Sequence, residues 1–91
     1  MEDDSKPIIL KTDMPEKIQK QAIECAQYAL QNFSDDNSSM AEYIKNEFDM
    51  RFGAFWACFV GNKFGSFFSY ADKSYISFCV NDVLFLLFKY P

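Results

Sequence analysis

The sequence predicts an α+β domain in which two helices pack on an antiparallel sheet, with elements in the order β-α-α-β-β-β-β. Three observations lead to this prediction: two stretches with apolar residues at helical spacing, a second half of short aromatic-rich segments between turn residues, and a short apolar segment before the first helix. We assign residues 1–6 to a flexible N-terminal segment and residues 7–91 to a single domain. A domain of this size buries only about 60–65% of its unfolded surface, and association with another chain is a common remedy.

The first strand and first helix are predicted from residues 7–33. Pro7–Thr12 contains three consecutive apolar residues and is a short strand candidate. Asp13 with Glu16 three residues later predicts a capping box, and Pro15 suits the first helical turn. The apolar face of this helix comprises Ile18, Ala22, Cys25, Ala26, Ala29 and Phe33.

The second helix follows a polar loop over residues 34–39. Ser39 with Glu42 predicts a second capping box, and Gly53 is well placed to end the helix. The apolar face of this helix comprises Met40, Tyr43, Ile44, Phe48 and Phe52. Two amphipathic helices joined by a short loop need a common apolar surface to cover, and the remaining segments supply it.

Four further strands are predicted in the second half of the chain. Gly61-Asn62 is a two-residue hairpin signal, and Asn81-Asp82 is suited to another tight turn. The predicted strands are Phe55–Val60, Phe64–Tyr70, Ser74–Val80 and Val83–Lys89.

The charge distribution argues against nucleic-acid and membrane binding. Residues 1–52 carry eleven acids and six bases, whereas residues 53–91 carry two acids, three bases and twelve of the seventeen aromatic residues. An acidic half beside an apolar half offers no basic surface for a phosphate backbone. No secretory signal is recognisable at the acidic N-terminus, and Val83–Phe88 is too short to span a bilayer.

The residue types also argue against an enzyme and a metal site. The chain has no histidine, so it cannot form a Ser-His or Cys-His pair. Cys25, Cys58 and Cys79 are widely spaced in apolar segments, which predicts reduced, buried thiols in a cytoplasmic protein. We expect no catalytic residues, no metal and no cofactor.

Several motifs, in order along the chain, resemble the eight-kilodalton dynein light chain family. They are Asp13-Met14, Glu24-Cys25-Ala26, Ile44-Lys45-x-Glu47-Phe48-Asp49, Trp56-x-Cys58-x-Val60-Gly61-x-x-Phe64-Gly65-Ser66 and Leu86-Leu87-Phe88-Lys89. The resemblance covers about residues 8–90. It implies a non-catalytic, cytoplasmic, microtubule-associated homodimer of the dynein motor, which binds dynein intermediate chain and other proteins with extended linear motifs.

The resemblance also implies a strand swap and a peptide groove. The strand Phe64–Tyr70 would cross to the partner protomer, and its free edge would receive a client peptide as an added strand. The implied dimer interface includes Ala57, Phe64, Phe67 and Phe68. The implied groove residues are Phe64, Gly65, Ser66, Phe67, Phe68, Ser69 and Tyr70 in the wall, Asn37 and Ser38 at the helix start, and Tyr75, Ser77 and Cys79 in the floor.

The residues of the predicted crossing strand agree with this mechanism. Gly65 and Ser66 have little or no side chain, so a peptide backbone can approach the strand closely. A β-bulge or a packing requirement would also explain the glycine. Phe67 and Phe68 are consecutive and point to opposite faces. One of them must leave the protomer's own core, which favours an interface over a single exposed phenylalanine.

The sequence departs from the family pattern at the groove and at the interface. Asn37-Ser38 stands where the family usually has a Glu-Lys pair, with Asp36 as a substitute carboxylate, and Ser77 and Cys79 replace aromatic residues. Ala57 stands where the family usually has a pH-sensitive histidine. The client preference therefore stays open, and so does the alternative that the protein is a motor-independent dimerisation hub.

Overall fold

The computed structural model describes residues 7–33, 36–61 and 74–90. Their elements are β1 (Ile8–Thr12), α1 (Glu16–Phe33), α2 (Asn37–Phe52), β2 (Trp56–Gly61), β3 (Tyr75–Val80) and β4 (Val83–Lys89). The α+β class, with two helices packed on an antiparallel sheet, is confirmed. The predicted strand Phe64–Tyr70 and the N-terminal segment 1–6 lie outside the described residues.

The described strands form one antiparallel sheet in the order β1-β3-β4-β2. Asn81 and Asp82 join β3 to β4 with φ angles of 52° and 67°, the left-handed conformation of a two-residue hairpin turn, as predicted. The β1–β3 register shifts between Ile9 and Lys11, so Leu10 lies at an irregularity of the ladder.

Both helices cover one face of the sheet and enclose the main core. Small residues on α1, among them Ala22, Ala26 and Ala29, are fully buried and let the helix approach its neighbours closely. The largest fully buried side chains include Phe48, Phe78, Phe85, Met40 and Ile44. The predicted apolar faces of both helices therefore point inward, with Ile18, Phe33, Tyr43 and Phe52 packed at the margin of this core.

The start of α2 differs from the prediction. Asp36 is the N-cap: one carboxylate oxygen accepts from the Ser39 amide at 3.1 Å and the other from the Ser39 hydroxyl at 2.9 Å. The Ser39–Glu42 capping box is wrong because Ser39 already lies in the first helical turn. At the other end, Gly53 has a φ of 83° and ends α2 as predicted.

The start of α1 also differs from the prediction. Its first residue is Glu16, and the carbonyl of Pro15 accepts from the amides of Ile18 at 3.0 Å and Gln19 at 3.1 Å. Asp13 therefore lies two residues before the cap position, and the capping box predicted for Asp13 and Glu16 is wrong. Asp13 instead joins β1 to β3: its amide donates to the Tyr75 carbonyl at 3.1 Å, and its carboxylate accepts from the Tyr75 amide at 2.9 Å.

Candidate functional site

The predicted site residues fall into two groups. Phe64, Gly65, Ser66, Phe67, Phe68, Ser69 and Tyr70 lie outside the described residues. The second group comprises Asn37 and Ser38 in the first turn of α2, Ala57 on β2, and Tyr75, Ser77 and Cys79 on β3. The structure locates the second group on three different elements.

The three predicted floor residues share the face of the sheet that points away from the helices. Tyr75, Ser77 and Cys79 alternate along β3 with Ile76, Phe78 and Val80, which belong to the main core. Ser77 is buried, whereas Tyr75 and Cys79 are half-buried. This side of β3 offers a ring, a hydroxyl and a thiol, and no charged group.

An apolar cluster continues this face across the neighbouring strands. We call it the outward cluster, defined by Ala57, Leu86 and Phe88 with Tyr75 packed against them. Phe59 stacks on Phe88 with ring centroids 6.2 Å apart and planes within 6°, yet it remains 50% exposed. Tyr90 meets the edge of Phe88 at 5.7 Å and is also exposed. The outward cluster thus has an exposed aromatic margin.

Strand β2 forms one border of the described sheet. It pairs with β4 from Trp56 opposite Lys89 to Gly61 opposite Leu84, and no described strand lies on its other side. A strand border of this kind presents backbone N–H and C=O groups that can pair with another chain. Because Ala57 lies on this strand and in the outward cluster, the open border and the apolar face adjoin.

A polar contact that was not predicted from the sequence holds the start of β2. The Trp56 amide donates to the Asp49 carboxylate at 2.8 Å, and the Lys45 ammonium forms an ion pair with the same carboxylate. Burial alone would raise the pKa of Asp49, but the hydrogen bonds from Lys45 and Trp56 outweigh it and lower that pKa. The ionised Asp49 therefore ties α2 to the open strand.

The structure does not bring the two predicted halves of the groove together within one chain. Asn37 and Ser38 are exposed at the start of α2, and α2 packs against α1 and against β2 on the core side of the sheet. Tyr75, Ser77 and Cys79 lie on the opposite side. Asp36, the substitute carboxylate of the sequence-based hypothesis, is engaged by Ser39, and the Ser39 amide is the main reason that its pKa is lowered.

The three cysteines are free thiols. Cys25 is buried as predicted, whereas Cys58 and Cys79 are only half-buried. Cys58 packs at the margin of the main core, and Cys79 lies on the outward face of β3. Burial raises the pKa of Cys25 and of Cys58, which keeps both thiols protonated near neutral pH. The described residues include no group of three or more His, Cys, Asp or Glu arranged to hold a metal ion.

Neither of the two described helices is both long and apolar enough to cross a bilayer.

Comparisons with known proteins support one family. The family model described as dynein light chain type 1 matches residues 6–90. The dynein light chain-like domain of the Fasciola hepatica calcium binding protein FhCaBP2 has a TM-score of 0.86 at 20% identity, covering 98% of this chain and 95% of that chain. The DLC-like domain of CsTAL3 has a TM-score of 0.67 at 16% identity, covering 91% and 90%. At these identities the two likenesses show a shared fold.

Proposed function

The chain belongs to the dynein light chain family, and on that premise we propose that it is a homodimer that captures extended peptides by β-strand addition. The family is generally non-catalytic and binds protein partners. The proposed clients are dynein intermediate chain and other proteins with extended linear motifs, and the proposed location is the microtubule cytoskeleton of the cytoplasm. Residues 7–91 would act as a single domain, with no cofactor.

The position of β2 at the border of the described sheet is the observation that carries the proposal. None of the described strands pairs with β2 on the side that faces away from β4. A strand supplied by a second protomer would pair with this side of β2 and present a new free border to a client peptide. Backbone hydrogen bonds would supply sequence-tolerant affinity, and side-chain pockets would supply the preference.

The outward cluster supports the dimeric part of the proposal. Phe59 and Tyr90 are exposed aromatic residues beside Ala57, Leu86 and Phe88, on the face that the helices leave open. An apolar surface at an open strand border is typical of a protein–protein contact. We propose that Ala57, with Phe64, Phe67 and Phe68 of the crossing strand, lies in this interface.

The separation of the predicted groove residues supports the same assembly. Asn37 and Ser38 lie on the helix side of the sheet, and Tyr75, Ser77 and Cys79 lie on the outward side. A groove that uses both sets is readily built when one protomer provides the helix start and the other provides the floor. The proposed groove wall is the crossing strand from Phe64 to Tyr70.

A motor-independent dimerisation hub is the second candidate function. It is favoured by the solved relatives, since one is a domain of a calcium binding protein and the other a DLC-like domain of CsTAL3. A dimer with two grooves raises the effective concentration of a bivalent client, and avidity can exceed single-site affinity by about 100-fold or more. Recovery of dynein intermediate chain in a pulldown supports the motor role, and its absence supports the hub.

A peptide-array screen followed by calorimetry tests the peptide-binding proposal. We expect Gly65→Val and Ser66→Glu to abolish binding of the selected peptides because each would obstruct a closely approaching backbone. Gln31→Glu, the same change in charge on the exposed surface of α1, is the control and should bind normally. Unchanged affinity in both groove variants, with an intact circular dichroism spectrum, would contradict strand addition at this position.

A further inference from the structure

A groove lies between β1 and the first two turns of α1, at the border of the described sheet opposite β2. It encloses about 470 Å³, within the range of about 300–1,000 Å³ that is usual for ligand pockets. Its lining residues are Ile9, Glu16, Lys17, Gln19, Lys20 and Ile23. The proposed dimer and its peptide groove use the other border, so this groove is a separate surface.

Ile9 forms the wall of the groove on β1 and is 42% exposed. Its neighbours Ile8 and Leu10 are also exposed, at 62% and 57%, but they do not line the groove. Ile23 forms the apolar part of the opposite wall and packs on the main core, so that wall is rigidly supported. Single exposed apolar residues are common, but two on facing walls of a concave surface favour a contact with another molecule.

The charged residues that line the groove carry a net positive charge. Lys17 and Lys20 are exposed and make no ion pair or hydrogen bond with any other described residue. Glu16 and Lys20 have the i, i+4 spacing of an ion pair, yet no such pair forms within 4.0 Å. Two ammonium groups against one carboxylate give the groove a local positive charge on a chain whose net charge is −4.

The strand itself is poorly suited to adding another strand. The register of β1 shifts between Ile9 and Lys11, and a bulge and a lysine are two devices that discourage pairing along an exposed border. Recognition here must therefore depend on side chains in the groove, which argues against a second copy of this chain paired through β1.

We propose that this groove is a second docking site, for a protein segment that carries a large apolar side chain next to acidic residues. The apolar side chain would fill the space between Ile9 and Ile23, and the acidic residues would meet Lys17 and Lys20 at the rim. A client bound at the first groove and a partner bound here would occupy opposite borders of the sheet. The proposal does not depend on the first groove being correct.

Panning a random twelve-residue phage library tests the proposal, with the selected sequences made as fluorescein-labelled peptides for anisotropy. We expect enrichment of peptides that combine Asp or Glu with Leu, Ile or Phe, and an affinity that weakens with added salt. The double variant Lys17→Glu/Lys20→Glu should lose roughly tenfold in affinity, equivalent to about 1.4 kcal/mol. Ile9→Ser should also weaken binding, because it removes the apolar wall.

Two controls separate this site from the rest of the molecule. Lys11→Glu makes the same change in charge on β1, outside the groove lining, and should leave these affinities unchanged. Gly65→Val should also leave them unchanged, which separates this site from the proposed first groove. If no selected peptide depends on Lys17, Lys20 and Ile9, the proposal is wrong. Self-association of the chain that the double variant abolishes would likewise overturn it in favour of a second copy.

Discussion

The two faces of the sheet differ in how completely one chain covers them. On the helix side, the side chains of Phe48, Phe78 and Phe85 are fully buried in the main core. On the outward side, a smaller cluster around Leu86 and Phe88 is buried, but its margin is exposed. The helix side therefore stabilises the single chain, and the outward side is the surface on which we expect a second chain to act.

The same difference separates the roles of neighbouring residues along each strand. Alternation assigns Ile76, Phe78 and Val80 to the core, and assigns Tyr75, Ser77 and Cys79 to the outward face. A substitution one position along β3 should therefore change either the free energy of unfolding or an association constant, but rarely both.

The largest effect is expected for Phe48→Ala on the helix side. Phe48 is fully buried and contacts Phe52 and Trp56 with ring centroids 5.0 and 4.9 Å apart. Removing the ring should lower the free energy of unfolding by about 3–5 kcal/mol, because apolar contacts are lost and a cavity remains. Urea denaturation measures this loss. Met50→Ala, an exposed position on the same helix, is the control, and an equal loss there would contradict the prediction.

The next effect is expected for Asp49→Ala, which disconnects α2 from the open strand. The Trp56 amide would lose its acceptor, so the free energy of unfolding should fall by about 1–3 kcal/mol. Asp49→Asn keeps an oxygen that can accept and should cost less. Chemical denaturation of both variants at neutral pH measures the difference, and equal stability of the two would contradict the role assigned to the Trp56 hydrogen bond.

The contribution of Asp49 should also depend on pH in a defined direction. Its pKa is lower in the folded chain than in the unfolded chain, where it is about 3.9. The stabilisation is therefore present above that value and is lost as the pH falls through the lower, folded value. The stability difference between the natural chain and Asp49→Ala should be constant from pH 7 to about pH 5 and should shrink below about pH 4.

Local signals predicted most of the fold. The apolar periodicity of residues 18–33 and 40–52 predicted both helices and their buried faces, and Asn81-Asp82 predicted the hairpin turn. The start of α2 was missed because residues 34–39 offer six polar residues suited to capping, and only the folded structure selects Asp36. The pairing of β1 with β3 joins residues far apart in the chain, so no local pattern encodes it.

The positions of the candidate site residues could be predicted only in part from the sequence. Alternation placed Tyr75, Ser77 and Cys79 on one face, and the structure agrees. The contacts of Asp13 with Tyr75 and of Asp49 with Trp56 were missed. Nothing in the sequence around an aspartate indicates which backbone amide will donate a hydrogen bond to its carboxylate. Both aspartates stand in motifs that resemble the family, but the motifs do not specify their hydrogen bonds.

A smaller effect on stability, with a large effect on association, is expected for Phe59→Ser on the outward side. Phe59 is half-exposed and stacks on Phe88, so we expect the unfolding free energy of a single chain to change by only about 0.5–1.5 kcal/mol. Sedimentation velocity should nevertheless show a shift from dimer to monomer. Tyr28→Ser is the control: Tyr28 is 49% exposed and stacks on Tyr43 at 4.9 Å on the helix side.

The control decides whether the outward face is special. If Tyr28→Ser and Phe59→Ser both leave the dimer intact, the outward cluster is not the interface. If both substitutions dissociate the dimer, the outward face contributes no more to the dimer than the helix side does.

The smallest effect is expected for mild acid on the dimer. Ala57 stands on the outward face, where the resemblance places a histidine in other family members, and the chain has no histidine at all. Lowering the pH from 7 to 5 therefore adds no buried imidazolium to the proposed interface. Asp36 and Asp49, whose pKa values are lowered, stay ionised over that range. Sedimentation at pH 5 should show the same dimer as at pH 7.

An Ala57→His variant should dissociate at pH 5, because its charged form would be buried without a partner. A natural chain that is monomeric at pH 5 would mean that another titrating group lies in the interface.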